Sequence, residues 1–322
     1  MSFNIGNIKI KGKVILAPMA GITSFSYRRL YKPFGCALVY SEMISDCGII
    51  YNNKETINLC KTSEEEKPFA LQIFGGEKDN LIKAVKRLEE LNIDYDILDL
   101  NLACPVPKVT KNNGGSSWLL DQEKLYDMVS EVVKISTKPV SAKVRLGFNE
   151  INIEDTVVTL EKAGVKFIAI HARTKKQLYS GEPDYNSLKN IHKLIKIPFA
   201  VSGNIYSVKD ALHALKVTKA NAILVARGAV GNPLLIRDIN NALKNKAYDE
   251  TRNYDEQKKF ALEYMNYMLE EFKEETAIRL LRGILPKFFD GLHNSKKLKN
   301  ELCTSTKTKE DILNIFNKYS TL

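Results

Sequence analysis

From residue 14 to residue 228 the chain repeats one unit eight times, and few folds can absorb eight such units. Each unit is a short apolar run rich in β-branched residues, then a polar loop or a helical pattern. The runs lie at 14–19, 37–43, 69–74, 95–102, 139–146, 166–172, 198–204 and 221–228. Helical periodicity fills 77–91, 121–135, 153–163 and 207–215, with Asp121 and Ser207 placed as N-caps and Gly164 as a stop. Pro68, Pro139 and Pro198 each stand just before a run, where a strand needs no ladder donor. Eight even units fit a (β/α)8 TIM barrel better than an open doubly wound sheet. Past Asn240 the segment 241–257 reads as a polar linker, and only helical periodicity follows. The predicted class is α/β: a barrel over 1–243 followed by a small all-helical domain over 244–322.

Composition narrows the function. The net charge is +10, of which residues 1–245 carry +9, a bias that favours a polyanionic partner such as nucleic acid. Charge alone also fits a lysine-rich composition with no partner at all. The five cysteines are scattered without a CxxC pair, and none of the four histidines pairs as HxxxH. This pattern predicts no metal and no disulfide framework, and a reducing, cytoplasmic setting. No apolar run approaches the ~20 residues of a membrane-spanning helix, and the N-terminus lacks a cleavage pattern, so neither membrane nor export is expected.

Barrel chemistry gathers at the C-terminal ends of the strands. Met19, Glu42, Gln72, Asn101 with Cys104, Lys143 and Arg145, His171 and Arg173, Ser202-Gly203-Asn204, and Arg227-Gly228 stand there in order. One glutamine or lysine at a strand end is more often a solvated cap; eight ends in register read as a site. Gly203 and Gly228 let backbone amides approach an anion, and Arg227 adds charge. Lys143 sits inside an apolar strand, where burial is costly unless it faces a negative charge or an electron-rich ring. A phosphate-bearing cofactor with a ring over the barrel mouth satisfies both. Cys104, at a strand-to-loop junction, is by default a small apolar residue.

The blocks "ILAPMAG", "SEM", "LQIFGG", "DLNLACPVPKV", "GGSSWLL", "AKVRLG", "IHARTKKQLYSG", "VSGNI" and "ARGAVGNP" together resemble the tRNA-dihydrouridine synthases, most closely the bacterial type-B branch. The resemblance runs from Ile15 to Pro233 and more faintly beyond. It implies an FMN-dependent barrel with a C-terminal helical domain that binds tRNA. Pro18, Met19 and Ala20 resemble the segment under the flavin ring, Gln72 and Lys143 its polar partners, and His171 a flavin or uracil contact. Ser202, Gly203, Asn204, Ala226 and Arg227 match the flavin phosphate site. Asn101 and Arg173 match positions near the target uracil, and Cys104 matches the catalytic acid. Two stretches depart from the family pattern: Ser24-Phe25-Ser26-Tyr27-Arg28, and Arg282-Gly283-Ile284 with Lys287-Phe288.

The implied reaction reduces the 5,6 double bond of uridines in the tRNA D-loop. Hydride passes from N5 of reduced FMN to C6, a proton from Cys104 to C5, and NADPH restores the flavin. A thiol with an ordinary pKa near 8.5 is mostly protonated at neutral pH, as an acid must be. The glycine-bearing loop 108–117 is expected to close over the base. Expected RNA contacts are Lys108, Lys111, Lys175 and Lys176 on the barrel, with Arg279 and Arg282 on the helices, in a monomer. Two rival readings are a flavin barrel acting on a small molecule and a catalytically silent tRNA-binding module. The basic excess and the appended helices argue against the first; intact Cys104, Lys143, His171 and Arg173 argue against the second.

Overall fold

A two-stranded hairpin opens the chain: β1 (Ser2–Ile5) and β2 (Ile8–Lys11) pair antiparallel across Gly6, whose φ is +58°. It belongs to a computed structural model that describes residues 2–319. Eight parallel strands follow: β3 (Val14–Leu16), β4 (Val39–Ser45), β5 (Phe69–Phe74), β6 (Ile97–Leu102), β7 (Val140–Arg145), β8 (Phe167–His171), β9 (Phe199–Ser202) and β10 (Ala222–Val225). Their order in the sheet is β3-β10-β9-β8-β7-β6-β5-β4. The two ends meet: the Ala37 N–H donates to the Val14 carbonyl at 2.7 Å and the Leu16 N–H to the Leu38 carbonyl at 3.1 Å. The sheet is therefore a closed barrel, as the eight-unit repeat predicts.

Closure buries both faces of every strand, so alternation sorts residues between two apolar regions rather than between core and water. Leu98, Leu100, Val140, Ala142, Val144, Ile168 and Ile170 point outward to the helices. Ile15, Leu38, Ala70, Ile97, Phe167, Ala200 and Ala222 point inward and fill the lower barrel. The hairpin stoppers that end. Ile5 and Ile10 join the inner cluster, and Phe3 stacks on Phe167 with ring centroids 5.7 Å apart. The repeat-based reading began at Val14 and missed this hairpin, although Gly6-Asn7 between apolar-polar alternations is a hairpin signal.

The helices take their predicted places within a few residues: Lys78–Glu90, Gln122–Ile135, Ile153–Lys162 and Val208–Thr218. The last runs past its predicted end at 215. Asp121 caps through the N–H groups of Glu123 and Lys124, and Ser207 with Asp210 forms a capping box.

Beyond the barrel the chain is helical, from Tyr254–Glu271 through Glu274–Ile284 and Lys296–Thr304 to Lys309–Lys318. The linker is shorter than the sequence suggests, because the helix Leu234–Leu243 runs to its start and Tyr254 begins the next. Its last turn is not loose either: Arg252 donates to the carbonyls of Gly231, Phe288 and Asp290. The long helix packs on Phe25–Tyr31, where Tyr27 meets Tyr264 edge-on, Ser26 donates to Glu271, and Arg29 pairs with Glu270 at 2.8 Å. Apolar contacts run unbroken from the outer barrel into these helices.

Under the same helix Phe25–Tyr31 lies a fully buried ion pair. Arg28 Nε and Nη2 donate to the two Glu66 oxygens at 3.1 and 3.2 Å, and the guanidinium lies 4.7 Å from the Phe69 ring centroid. Removing one partner of a buried pair strands the other charge, at ~3–5 kcal/mol. Arg28→Met should therefore lower the urea unfolding midpoint by that equivalent, and Arg28→Met with Glu66→Gln should recover part of the loss. A midpoint unchanged in Arg28→Met would contradict the burial described.

Candidate active site at the C-terminal mouth of the barrel

The inward face turns polar toward the C-terminal ends of the strands. Along β6 it reads Ile97, Asp99, Asn101; along β7, Ser141, Lys143, Arg145; along β8, Phe167, Ala169, His171. Above this polar layer opens a cavity of about 340 Å³, within the range of small-molecule sites. Its walls come from residues 17–20, 101, 103–106, 143, 145, 171, 202–206 and 226–228, with Met43 and Tyr179.

Each wall is fixed from behind. After β3 the Met19–Thr23 turn is tied by Thr23, whose hydroxyl accepts from the Met19 N–H and donates back to its carbonyl, while Glu42 accepts the Gly21 N–H. Cys104, only 9% exposed, follows β6 by two residues. Its N–H donates to Asn101 Oδ1 at 2.9 Å, and its carbonyl accepts from the Ser116 N–H and hydroxyl at 3.1 and 3.0 Å. Gly115, at φ +57°, backs onto it; a Cβ there would lie 2.7 Å from the Cys104 carbonyl oxygen. Gly228 is held as tightly, since a Cβ would fall 1.9 Å from the Ile205 carbonyl oxygen. Asn204 takes a positive φ of 44° and accepts from Arg227 Nη2 at 3.3 Å, which joins the loops after β9 and β10.

The expected lid, 108–117, contributes no residue to the cavity lining in this structure. It folds as a short helix, Pro107–Thr110, and a 3-10 turn from Gly115, and Trp118 Nε1 donates to the Gly75 carbonyl.

The cavity is positive. Lys143, Arg145, His171 and Arg227 line it, and no carboxylate does among the described residues. Burial and the Arg145 charge push the Lys143 ammonium down to about 8. Burial, then the charges of Lys143, Arg145, Arg173 and Arg227, hold His171 well below its usual range, so its ring is neutral at pH 7. Among the described residues no cluster of His, Cys, Asp and Glu could hold a metal ion, and no helix is long and apolar enough to cross a membrane.

Most of the residues singled out by sequence meet here: Pro18, Met19, Ala20, Asn101, Cys104, Lys143, His171, Ser202, Gly203, Asn204, Ala226 and Arg227. Glu42 on β4 does not line the cavity, and neither do two of the expected binding residues. Gln72 lies beneath it, both amide ends engaged by Asp99 and Asn101. Arg173 is fully buried and spends its guanidinium on the carbonyls of Ser180 and Gly181, tying down the loop after β8. Arg145, absent from the expected binding set, occupies the wall instead; it donates to the carbonyls of Ala103, Thr174 and Leu178, and its guanidinium faces the Tyr179 ring at 5.5 Å. The signal was present: two residues past Lys143, it shares that residue's face. Of the expected RNA contacts, Lys108, Lys111 and Lys176 are exposed on the loops after β6 and β8, and Lys175 beside them rests over Phe148. Arg279 is exposed on the helix Glu274–Ile284, whereas Arg282 on the same helix is half-buried and bonded to the Thr306 carbonyl.

A family model described as dihydrouridine synthase matches residues 15–320, which includes the C-terminal helices. The chain belongs to the dihydrouridine synthase family. It is 34% identical over 304 residues to a probable tRNA-dihydrouridine synthase of Aquifex aeolicus, covering 93% of this chain and 94% of that one. It is 32% identical over 281 residues to tRNA-dihydrouridine synthase B of Pseudomonas aeruginosa, covering 86% and 84%. Among solved structures, an old yellow enzyme homologue from Zymomonas mobilis superposes with a TM-score of 0.56 at 12% identity over 80% of this chain and 94% of that one, a likeness of fold.

Within this dihydrouridine synthase fold, a neutral His171 has a direct spectroscopic consequence. Its ring proton shifts should stay flat between pH 6 and 8 in an NMR titration, because the four cations around it disfavour a fifth. An inflection near its ordinary pKa of about 6.5 would contradict the electrostatics described.

Proposed function

We propose that this chain is an FMN-dependent tRNA-dihydrouridine synthase that reduces the 5,6 double bond of uridines in the tRNA D-loop, with NADPH as the reductant. One observation carries the reading: a cavity lined by cations and, among the described residues, by no carboxylate, with the half-buried Lys143 in its wall. Such a donor set fits an anionic, phosphate-bearing ring cofactor and disfavours a cationic ligand. The family membership and the names of the relatives supply the reaction and the RNA class.

Ser202, Gly203, Asn204, Ala226 and Arg227 would hold the phosphate; Pro18, Met19 and Ala20 would form the apolar support for the ring; Lys143 would meet its electron-rich edge, with His171 as a neutral hydrogen-bonding partner. When bound, reduced FMN supplies the hydride. The remaining chemistry belongs to the chain. Cys104 keeps its proton until C5 of the base accepts it, and the bonds to Asn101 and Ser116 hold its backbone still meanwhile. Asn101 orients the base, while Lys143 and Arg145 offset negative charge on its carbonyl oxygens. A uracil inside folded tRNA must leave its stack to reach this depth. Lys108, Lys111, Lys175 and Lys176, in the segments after β6 and β8, would serve as phosphate contacts, and the helices from residue 244 would form the second docking unit of a monomeric, cytoplasmic enzyme.

Purified chain supplied with FMN, NADPH and unmodified tRNA should convert uridine to dihydrouridine, read by nucleoside mass spectrometry. Cys104→Ala should retain flavin and tRNA affinity and lose product formation by ~10²-fold or more; near-normal turnover would remove Cys104 as the acid. FMN binding to the apoprotein should weaken as pH rises through about 8, because the Lys143 cation is complete below that value and lost above it. Lys143→Met should bind more weakly and without that dependence, by fluorescence titration. Replacing the four entrance lysines by glutamine should flatten the slope of log Kd for tRNA against log salt by about 0.7–0.9 for each phosphate no longer neutralised.

A further inference from the structure

Asp99 lies two residues before Asn101 on the inward face of β6, fully buried and outside the cavity wall. Its carboxylate accepts from the Ser141 hydroxyl and from Gln72 Nε2, the latter at 2.7 Å. Gln72 Oε1 accepts from Asn101 Nδ2 at 2.8 Å. Asn101 Oδ1 in turn accepts the N–H groups of Ala103 and Cys104 at 3.1 and 2.9 Å.

Each contact dictates the next. An ionised carboxylate can only accept, so Gln72 must turn its NH2 end toward Asp99 and its carbonyl toward Asn101. Asn101 must then donate to Gln72, which leaves its own carbonyl for the two backbone donors. Reversing either amide would set acceptor against acceptor at one contact and donor against donor at another. With one Nδ2 hydrogen committed to Gln72, the other is left beside the cavity-lining Met43, 3.9 Å from its Sδ.

We propose that Asp99 is a positioning residue: through Gln72 it fixes the one orientation of Asn101 that anchors the Cys104 backbone and offers a donor, not an acceptor, to a base carbonyl in the cavity. The second half of this statement rests on the reading of the cavity as a uridine-reducing site; the first half does not.

The device depends on ionisation. The groups that face Asp99 are Tyr40 from β4, whose buried hydroxyl has no partner, Gln72 from β5, and Ser141 and Lys143 from β7. Burial pushes the Asp99 carboxyl up to about 6, against the lowering pull of Ser141, Gln72 and Lys143. Above that pH the carboxylate is charged and the chain of bonds has one solution. As pH falls through about 6, the protonated carboxyl can itself donate, the Gln72 orientation is no longer unique, and turnover falls.

The test compares wild type with Asp99→Asn in the full, FMN-loaded chain. At saturating FMN the kcat for dihydrouridine formation should drop on the order of 10²-fold, the scale of a misplaced reacting group, with tRNA Kd unchanged. The acid limb near pH 6 in wild type should vanish. A second readout needs no turnover: iodoacetamide should alkylate Cys104 several-fold faster in Asp99→Asn, by peptide mass spectrometry, while buried Cys36 and Cys60 stay as protected as in wild type. Ser141→Ala, which removes one donor and keeps the carboxylate, covers a failure of Asp99→Asn to fold; its acid limb should move to higher pH. An acid limb that survives in Asp99→Asn or stays in place in Ser141→Ala, with Cys104 alkylation at the wild-type rate, overturns the proposal. If wild type makes no dihydrouridine, the reading of the reaction falls, and the alkylation comparison alone upholds or overturns the anchoring role of Asp99.

Discussion

Holding the half-buried Lys143 in the mouth of the barrel is the constraint around which the upper half of the structure is arranged. An ammonium group there loses part of its hydration, and the barrel offsets that loss only in part through the charge of Asp99 below it. Asp99 is itself already engaged by Ser141 and Gln72. The cavity wall adds Arg145 and Arg227 and, among the described residues, no carboxylate, so the site is short of negative charge. Such an imbalance is one that the proposed anionic cofactor and polyanionic substrate would correct at the right place. The lowered ammonium, the neutral His171 and the raised carboxyl are three consequences of one electrostatic arrangement.

That arrangement needs a rigid frame. The lower barrel is a dry layer of Ile, Leu, Ala and Phe side chains stoppered by the N-terminal hairpin, so the polar layer rests on a floor that does not yield. Around the mouth, Arg145 ties the loops after β6 and β8 together and Asn204 joins those after β9 and β10, while Ser116 and Arg173 brace their own loops. The C-terminal helices continue the barrel's outer core through Tyr27, Tyr264 and Arg252.

Much of this was legible in the sequence, for identifiable reasons. Eight β-branched runs at even spacing leave little alternative to a barrel, and a barrel brings its strand ends together, so Asn101, Cys104, Lys143, His171 and the Ser202–Asn204 and Arg227 loops converge without any long-range contact having been foreseen. Strand-end position alone does not say which way a side chain faces or what a loop needs. Arg173, two residues past β8, is consumed by its own loop; Gln72 sits one layer too deep; Arg145, on the face of Lys143, reaches the wall. Asp99 was hidden in an apolar run, visible only once alternation is read on a strand buried on both sides. The hairpin and the shortened linker were missed because neither repeats the strand–helix unit.

The central claim is that these groups together reduce uridines in tRNA, and mapping dihydrouridine across total RNA from cells with and without this gene tests it most directly. D-loop dihydrouridine should disappear with the gene, return with the wild-type chain and stay absent with Cys104→Ala. A map identical in the presence and absence of the gene would contradict it.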